Sequence, residues 1–257
     1  MKNISRVVIL VSAVLFGCLT ATAEMMPIEP GTVEVYVSDN GRYEVSIVYG
    51  DGFPSWSLKE DGLELWSEPM PAEAGAVTIA DNGETIILPL WGWRDEGGSS
   101  GVAVYNKEGK LVRNIFFKSI NDLLMSEETL RWVRVTKISP DGKYFAIGGN
   151  GQENSTVTLF EAASGNVVWD KTSGLPDIVD IAIAKDGEHV LAATREDNDT
   201  GMEFVLFDRE GNVLWNKKID KNLSYDVEHY VKFKDDASGF EIYDLKLNEY
   251  VEEKIKK

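Results

Sequence analysis

An all-β protein, assembled from one short antiparallel unit used several times over, is what this sequence predicts, on three observations. First, residues 135–171, VTKISPDGKYFAIGGNGQENSTVTLFEAASGNVVWDK, alternate β-branched and aromatic with polar residues between a Pro140-Asp141-Gly142 turn and a Ser164-Gly165 turn. That is the pattern of hairpins: side chains of period two line two faces, and glycine supplies the positive φ of a tight turn. Second, the unit returns at 178–218 as IVDIAIAKDGEHVLAATREDNDTGMEFVLFDREGNVLWNKK. Third, its turns recur at regular intervals along the chain.

The intervals identify the architecture. First-hairpin turns end on Gly41, Gly83, Gly142 and Gly187, and second-hairpin turns on Gly62, Gly109, Gly165 and Gly211. Within a unit the two glycines lie 21, 26, 23 and 24 residues apart; from one unit to the next the gaps are 21, 33 and 22. A period of about 40–45 residues with four strands per unit is that of a β-propeller blade. The expectation is a single propeller of five blades over residues 24–257, with an open or distorted array as the alternative.

Taken in order, residues 1–23 read as a signal peptide. Lys2 and Arg6 precede an apolar run, Val7–Leu19, and Ala21-Thr22-Ala23 is a small-residue cleavage site before Glu24. The run is too short for a permanent membrane span. Leu15-Phe16-Gly17-Cys18 is similar to a lipoprotein box, so secreted or periplasmic export and membrane anchorage through a lipid on Cys18 both stand. Either way the mature chain is left without a disulfide.

Blade one is expected over Val33–Trp66, with a linker at 67–75, and blade two over Ala76–Phe117 with a long internal loop at 91–101. The 33-residue gap contains an insertion, 119–132, in which Ser126 caps an acidic first turn; a short helix is expected there. Blades three and four are the two clear repeats. The last unit offers three strands, Val227–Phe233, Phe240–Leu245 and Tyr250–Ile255, so an N-terminal strand near Thr32–Val37 is expected to supply its fourth and close the ring.

Four residues after each second-turn glycine stand Trp66, Arg113, Trp169 and Trp215, expected to pack between blades. The motif Asp-x-x-Gly-x-Val-Leu-Trp at Asp208–Trp215 resembles the pyrroloquinoline-quinone-type propeller repeat. The run Ser139-Pro-Asp-Gly-Lys-Tyr144 resembles the turn of WD-repeat and related bacterial propellers. The resemblance implies the fold over nearly all of the mature chain and is nearly silent on function, because such propellers include scaffolds, binders and enzymes. It does not extend to a quinone cofactor site.

Composition narrows the functional classes. The formal net charge is −17, which argues against nucleic acid as a partner. Short turns gather on one side of the disc and long, varied loops on the other, and binding residues ride on loops held by a rigid scaffold. On the loop side Trp91, Trp93, Arg94 and Asp95 are the candidate ligand-binding residues, suited to stack on a glycan, peptide or flat ligand. Asp197 and Asp199 sit in what reads as half of a calcium loop, without the later bidentate Glu. His189 and His229 form no catalytic or metal pattern. The reading is an exported, non-catalytic module that binds a protein or small ligand. The alternative is a glycan-active hydrolase using Glu34 and Asp180, two acids on innermost strands with Lys137 nearby.

Overall fold

In the computed structural model the described residues are 29–70, 76–90, 99–119, 132–150, 155–172, 177–185, 187–195, 201–220, 229–234, 238–244 and 249–255. They form five antiparallel sheets and, among them, no helix. Sheet 1 is β1 (Val33–Val37), β2 (Tyr43–Val48), β3 (Ser55–Glu60) and β4 (Leu63–Pro69). Sheet 2 is β5 (Thr78–Ile79), β6 (Ile86–Leu90), β7 (Ser99–Tyr105) and β8 (Leu111–Ser119). Sheet 3 is β9 (Trp132–Ile138), β10 (Tyr144–Asn150), β11 (Ser155–Glu161) and β12 (Val167–Thr172). Sheet 4 is β13 (Asp177–Ile183), β14 (His189–Arg195), β15 (Gly201–Asp208) and β16 (Val213–Asp220). Sheet 5 is β17 (Val231–Phe233), β18 (Gly239–Asp244) and β19 (Glu249–Lys254).

Within each sheet consecutive strands pair in chain order, and the first strands β1, β5, β9, β13 and β17 neighbour one another in turn. This is the arrangement of propeller blades. The first-hairpin turns close by backbone bonds from Gly41, Gly83, Gly142 and Gly187 to the carbonyl three residues back, at 2.8–2.9 Å. Asp61 and Gly62 both take positive φ, 49° and 80°, as a two-residue hairpin demands.

Four apolar seams hold the blades together. Val45, Ile47, Trp56 and Leu58 of sheet 1 meet Ile79, Ile86 and Leu88 of sheet 2. Ile87, Val102 and Val104 meet Phe145, Ile147 and Phe160 across sheets 2 and 3. Ala146, Leu159 and Trp169 meet Ile178, Val190 and Phe207 across sheets 3 and 4. Leu191, Phe204 and Leu206 meet Val231, Phe240 and Ile242 across sheets 4 and 5. The residues spaced four after the second glycines lie in these seams: the Trp66 ring faces Gly109, the Arg113 chain Gly165 and the Trp169 ring Gly211, each in the next blade. Trp215 packs edge-on against Phe240 at 5.0 Å.

One expectation is corrected. Val33–Val37 does not complete the last blade; it pairs with β2 as the first strand of sheet 1, because the tight turn through Gly41 makes that neighbour the nearer one. Sheet 5 therefore has three strands among the described residues. Gly148 and Gly149 continue β10 opposite Val135 and Val133 across a bulge. A side chain at Gly148 would collide with Val135 and Ile178, so glycine here admits the close approach of β13. Ser119 and Trp132, the ends of the expected helical insertion, belong to β8 and β9, and the expected helix itself, residues 120–131, lies outside the described residues.

Candidate functional site

Alternation of strand direction places all the short turns on one rim of the array and the β2–β3, β6–β7, β10–β11 and β14–β15 connections on the other. The turn rim is fastened blade to blade. Asn40 donates its backbone N–H to Asp81 Oδ1 and its side-chain amide to the Asp81 carbonyl, both at 2.8 Å. Asn82 repeats the second bond to the Asp141 carbonyl at 2.9 Å. Tyr43 donates to Glu60 at 2.7 Å, and Lys107 from the next blade donates to the Tyr43 hydroxyl at 3.0 Å and pairs with Glu60 at 2.9 Å. The hydrogen bonds of Lys107 and Tyr43 hold the Glu60 carboxyl below its ordinary range. One repeat pair further on, Arg209 lies 4.9 Å over the Tyr144 ring and bonds its hydroxyl and Glu188.

The loop rim shows the opposite character where it is described. The connection from Tyr49 to Pro54 leaves Phe53 86% exposed. The sequence-identified ligand residues Trp91, Trp93, Arg94 and Asp95, and the acids Asp197 and Asp199, lie outside the described residues. Their flanking strand ends, Leu90 and Ser99 for the first loop, Arg195 and Gly201 for the second, open onto this rim.

Near the loop-rim end of β1, Glu34 accepts hydrogen bonds on one oxygen, Oε2, from Tyr36 at 2.8 Å and Tyr49 at 3.1 Å. Burial, then the bond to Glu34 and its charge, push the Tyr36 hydroxyl well above the ordinary phenol range, so it remains a donor. Tyr36 was legible as a partner, since residues two apart on a strand share a face. Tyr49 was not, because its approach depends on the β1–β2 pairing.

Asp180 is 4% exposed on β13, just past a bulge between Ile178 and Asp180. Its Oδ2 accepts the backbone N–H of Tyr230 at 2.8 Å and of Val231 at 3.2 Å, and its Oδ1 that of Ile181 at 2.9 Å. His229 Nδ1 lies 3.8 Å away. Burial raises the Asp180 carboxyl, opposed by the charges of Lys137 and His229 and by the two backbone bonds. The bulge aims this side chain at the start of β17, where it anchors the last blade. Glu34 and Asp180 thus stand on sheets 1 and 4, each engaged with its own partners, and the structure brings them into no common hydrogen-bonded pair. His189 is a seam residue, its Nδ1 buried without a hydrogen bond and its ring 6.5 Å from Phe233.

Among the described residues no group of three His, Cys, Asp or Glu is placed to hold a metal ion, and no helix is long and apolar enough to cross a membrane.

No family model matches this sequence, and no curated protein matches it. Solved structures do. Hydrazine synthase of Kuenenia stuttgartiensis matches with a TM-score of 0.56 at 14% identity over 86% of this chain and 71% of that one. A eukaryotic initiation factor matches with a TM-score of 0.53 at 11% identity over 74% of this chain, which spans only 43% of the factor's length. These neighbours are propeller-type folds, and at such identities the likeness concerns fold alone. The chain is a β-propeller, and its site must be argued from its own residues.

Proposed function

We propose that this chain is an exported, non-catalytic binding module that engages its ligand through the loop rim. The carrying observation is the contrast between the rims. On the turn rim, polar side chains such as Asn40, Asn82, Tyr43 and Lys107 are spent on bonds between blades. On the loop rim the described connection exposes a phenyl ring, Phe53, and the longer connections carry Trp91, Trp93, Arg94 and Asp95. Large aromatics beside an arginine on a rigid scaffold are the composition of binding hot spots. Export is supported by the 1–23 leader pattern.

The test immobilises residues 24–257 and measures capture from a cell-envelope extract. The Trp91→Ala/Trp93→Ala double variant is expected to lose the captured species with an unchanged melting temperature, while Lys143→Glu on the turn rim retains it. Capture that survives the double substitution rejects the loop rim as the site.

A further inference from the structure

Most of the buried and half-buried carboxylates in the strands are matched to cations. Glu44 lies 2.7 Å from Lys59, Glu60 2.6 Å from Arg42, and Asp177 2.5 Å from Arg195. Glu203 lies 4.0 Å from Lys218, Glu241 2.7 Å from Lys232, and Glu253 3.4 Å from Lys217. Asp180 is satisfied by backbone amides instead, and Asp208, in its turn, on both oxygens by Glu210 and Asn212. Glu34 differs from all of these. Among the described residues it receives two neutral phenols, both on Oε2, and no lysine, arginine or histidine lies within ion-pair distance.

This arrangement has the properties of a receptor. Two O–H donors on one oxygen fix the orientation of the carboxylate. Its other oxygen, Oε1, accepts no hydrogen bond among the described residues. The residue is only half-buried, so a ligand can reach it, while the surrounding protein screens its charge less than water would. The half-buried phenol ring of Tyr36 adds an attractive face for a positive group, and a net charge of −17 draws cations towards the surface.

We propose that Glu34, oriented by Tyr36 and Tyr49 at the loop-rim end of β1, receives an organic cation, an ammonium or guanidinium group, belonging to the molecule bound on that rim. This rests on the loop-rim reading above and gives the ligand its chemistry: the partner is basic where it meets sheet 1.

The mature chain is titrated calorimetrically, in about 0.15 M salt, with acetyl-Arg-Lys-Arg-amide, with spermidine and with calcium chloride. The expected result is that an organic cation binds, that Glu34→Gln weakens it about tenfold, the loss of one charge-assisted hydrogen bond, and that Glu64→Gln on the exposed β4 leaves it unchanged. A response to peptide alone assigns the cation to a polypeptide, and a response to spermidine to a free amine. Equal weakening by both substitutions, no binding of either organic cation, or a Glu34-dependent site for calcium only would overturn the proposal. Glutamine retains an oxygen for both phenols. Should Glu34→Gln nonetheless fail to fold, Tyr49→Phe is expected to weaken the same probe, and unchanged affinity would overturn it equally. Probe binding that depends on Glu34 but not on Trp91 and Trp93 leaves this inference standing and defeats the loop-aromatic reading. Extract capture that depends on the tryptophans, with Glu34→Gln silent in both assays, does the reverse.

Discussion

The seams between blades and the two outer faces of the array use the same strand positions with opposite chemistry. Counting three and five residues past each first-turn glycine gives Ile86 and Leu88, Phe145 and Ile147, Val190 and Ala192 in sheets 2, 3 and 4, all buried against the preceding sheet. In sheet 1 the same positions hold Glu44 and Ser46, and Glu44 is paired with Lys59. At the other end, the face of sheet 5 turned away from sheet 4 carries Lys232 paired with Glu241 and Lys234 paired with Glu252. Charged pairs on terminal faces hinder a stacked array from adding further copies, although on sheet 1 the exposed Val33, Val35, Val37 and Val48 share that face. The glycines tell the same story. A Cβ at Gly83 or Gly187 would strike Tyr43 or Tyr144 of the preceding blade, whereas Gly41 and Gly62 in sheet 1 have nothing within 4 Å. Four seams are therefore built for apolar contact, and among the described residues the terminal faces differ from them by carrying charged pairs.

The largest effect is expected inside a seam, at the anchor of the last blade. Asp180→Ala leaves the N–H groups of Tyr230 and Val231 without their acceptor, and a buried donor left unpaired costs about 1–3 kcal/mol. A loss of about 2–4 kcal/mol in urea unfolding is expected, with faster amide exchange at 230 and 231. Asp180→Asn keeps an oxygen for them and should recover most of it. The pH dependence has a definite sign. Burial raises the Asp180 carboxyl above its ordinary 3.8, so the folded protein holds this proton more tightly than the unfolded chain does. The stability this contributes is complete below pH 3.8 and is lost as pH rises through the higher folded value. Asparagine has no proton to lose, so Asp180→Asn should gain on the wild type as pH rises above 3.8. A constant difference across that range would remove the charge from the account.

How much of this was legible in the sequence follows from which features are local. Turn glycines at positive φ are local, and the tryptophans at a fixed offset from them inherit that regularity; both were readable and both are where expected. Pairing is not local. The alternation of Val33-Glu34-Val35-Tyr36-Val37 announces a strand but does not name its partner, which is why β1 could be mistaken for the closing strand of sheet 5. Asp180 shows a second limit. It was readable as an acid on an innermost strand like Glu34, but the bulge before it breaks the alternation and turns the carboxylate to the entry of β17. The loop candidates at 91–95 and 197–199 have neither repeat nor register to place them, and they lie outside the described residues.

A middle-sized effect separates equivalent turns. Gly41→Ala and Gly83→Ala impose alanine on φ values of +75° and +73°, a backbone cost of about 1–2 kcal/mol in each. Gly83→Ala alone must also displace the Tyr43 ring, which a Cβ would meet at 2.5 Å, and with it the bonds to Glu60 and Lys107. About 1–3 kcal/mol more is expected there, as for other overpacked sites. Equal losses in denaturant titrations would mean that the seam contact contributes nothing at this turn.

The smallest effect is the most informative about the ends of the array. Val33 and Val35 on the outer face of β1 are 54% and 51% exposed, while Val190 in the seam of sheet 4 is fully buried. Threonine has nearly the shape of valine, so Val→Thr isolates the cost of placing a hydroxyl where it stands. In the seam, Val190→Thr should cost about 1–3 kcal/mol, because the hydroxyl is stripped of water. On the outer face, Val35→Thr should stay within about 0.5 kcal/mol of the wild type. A loss above about 1 kcal/mol at Val35 would mean that something packs over this face of β1 in solution.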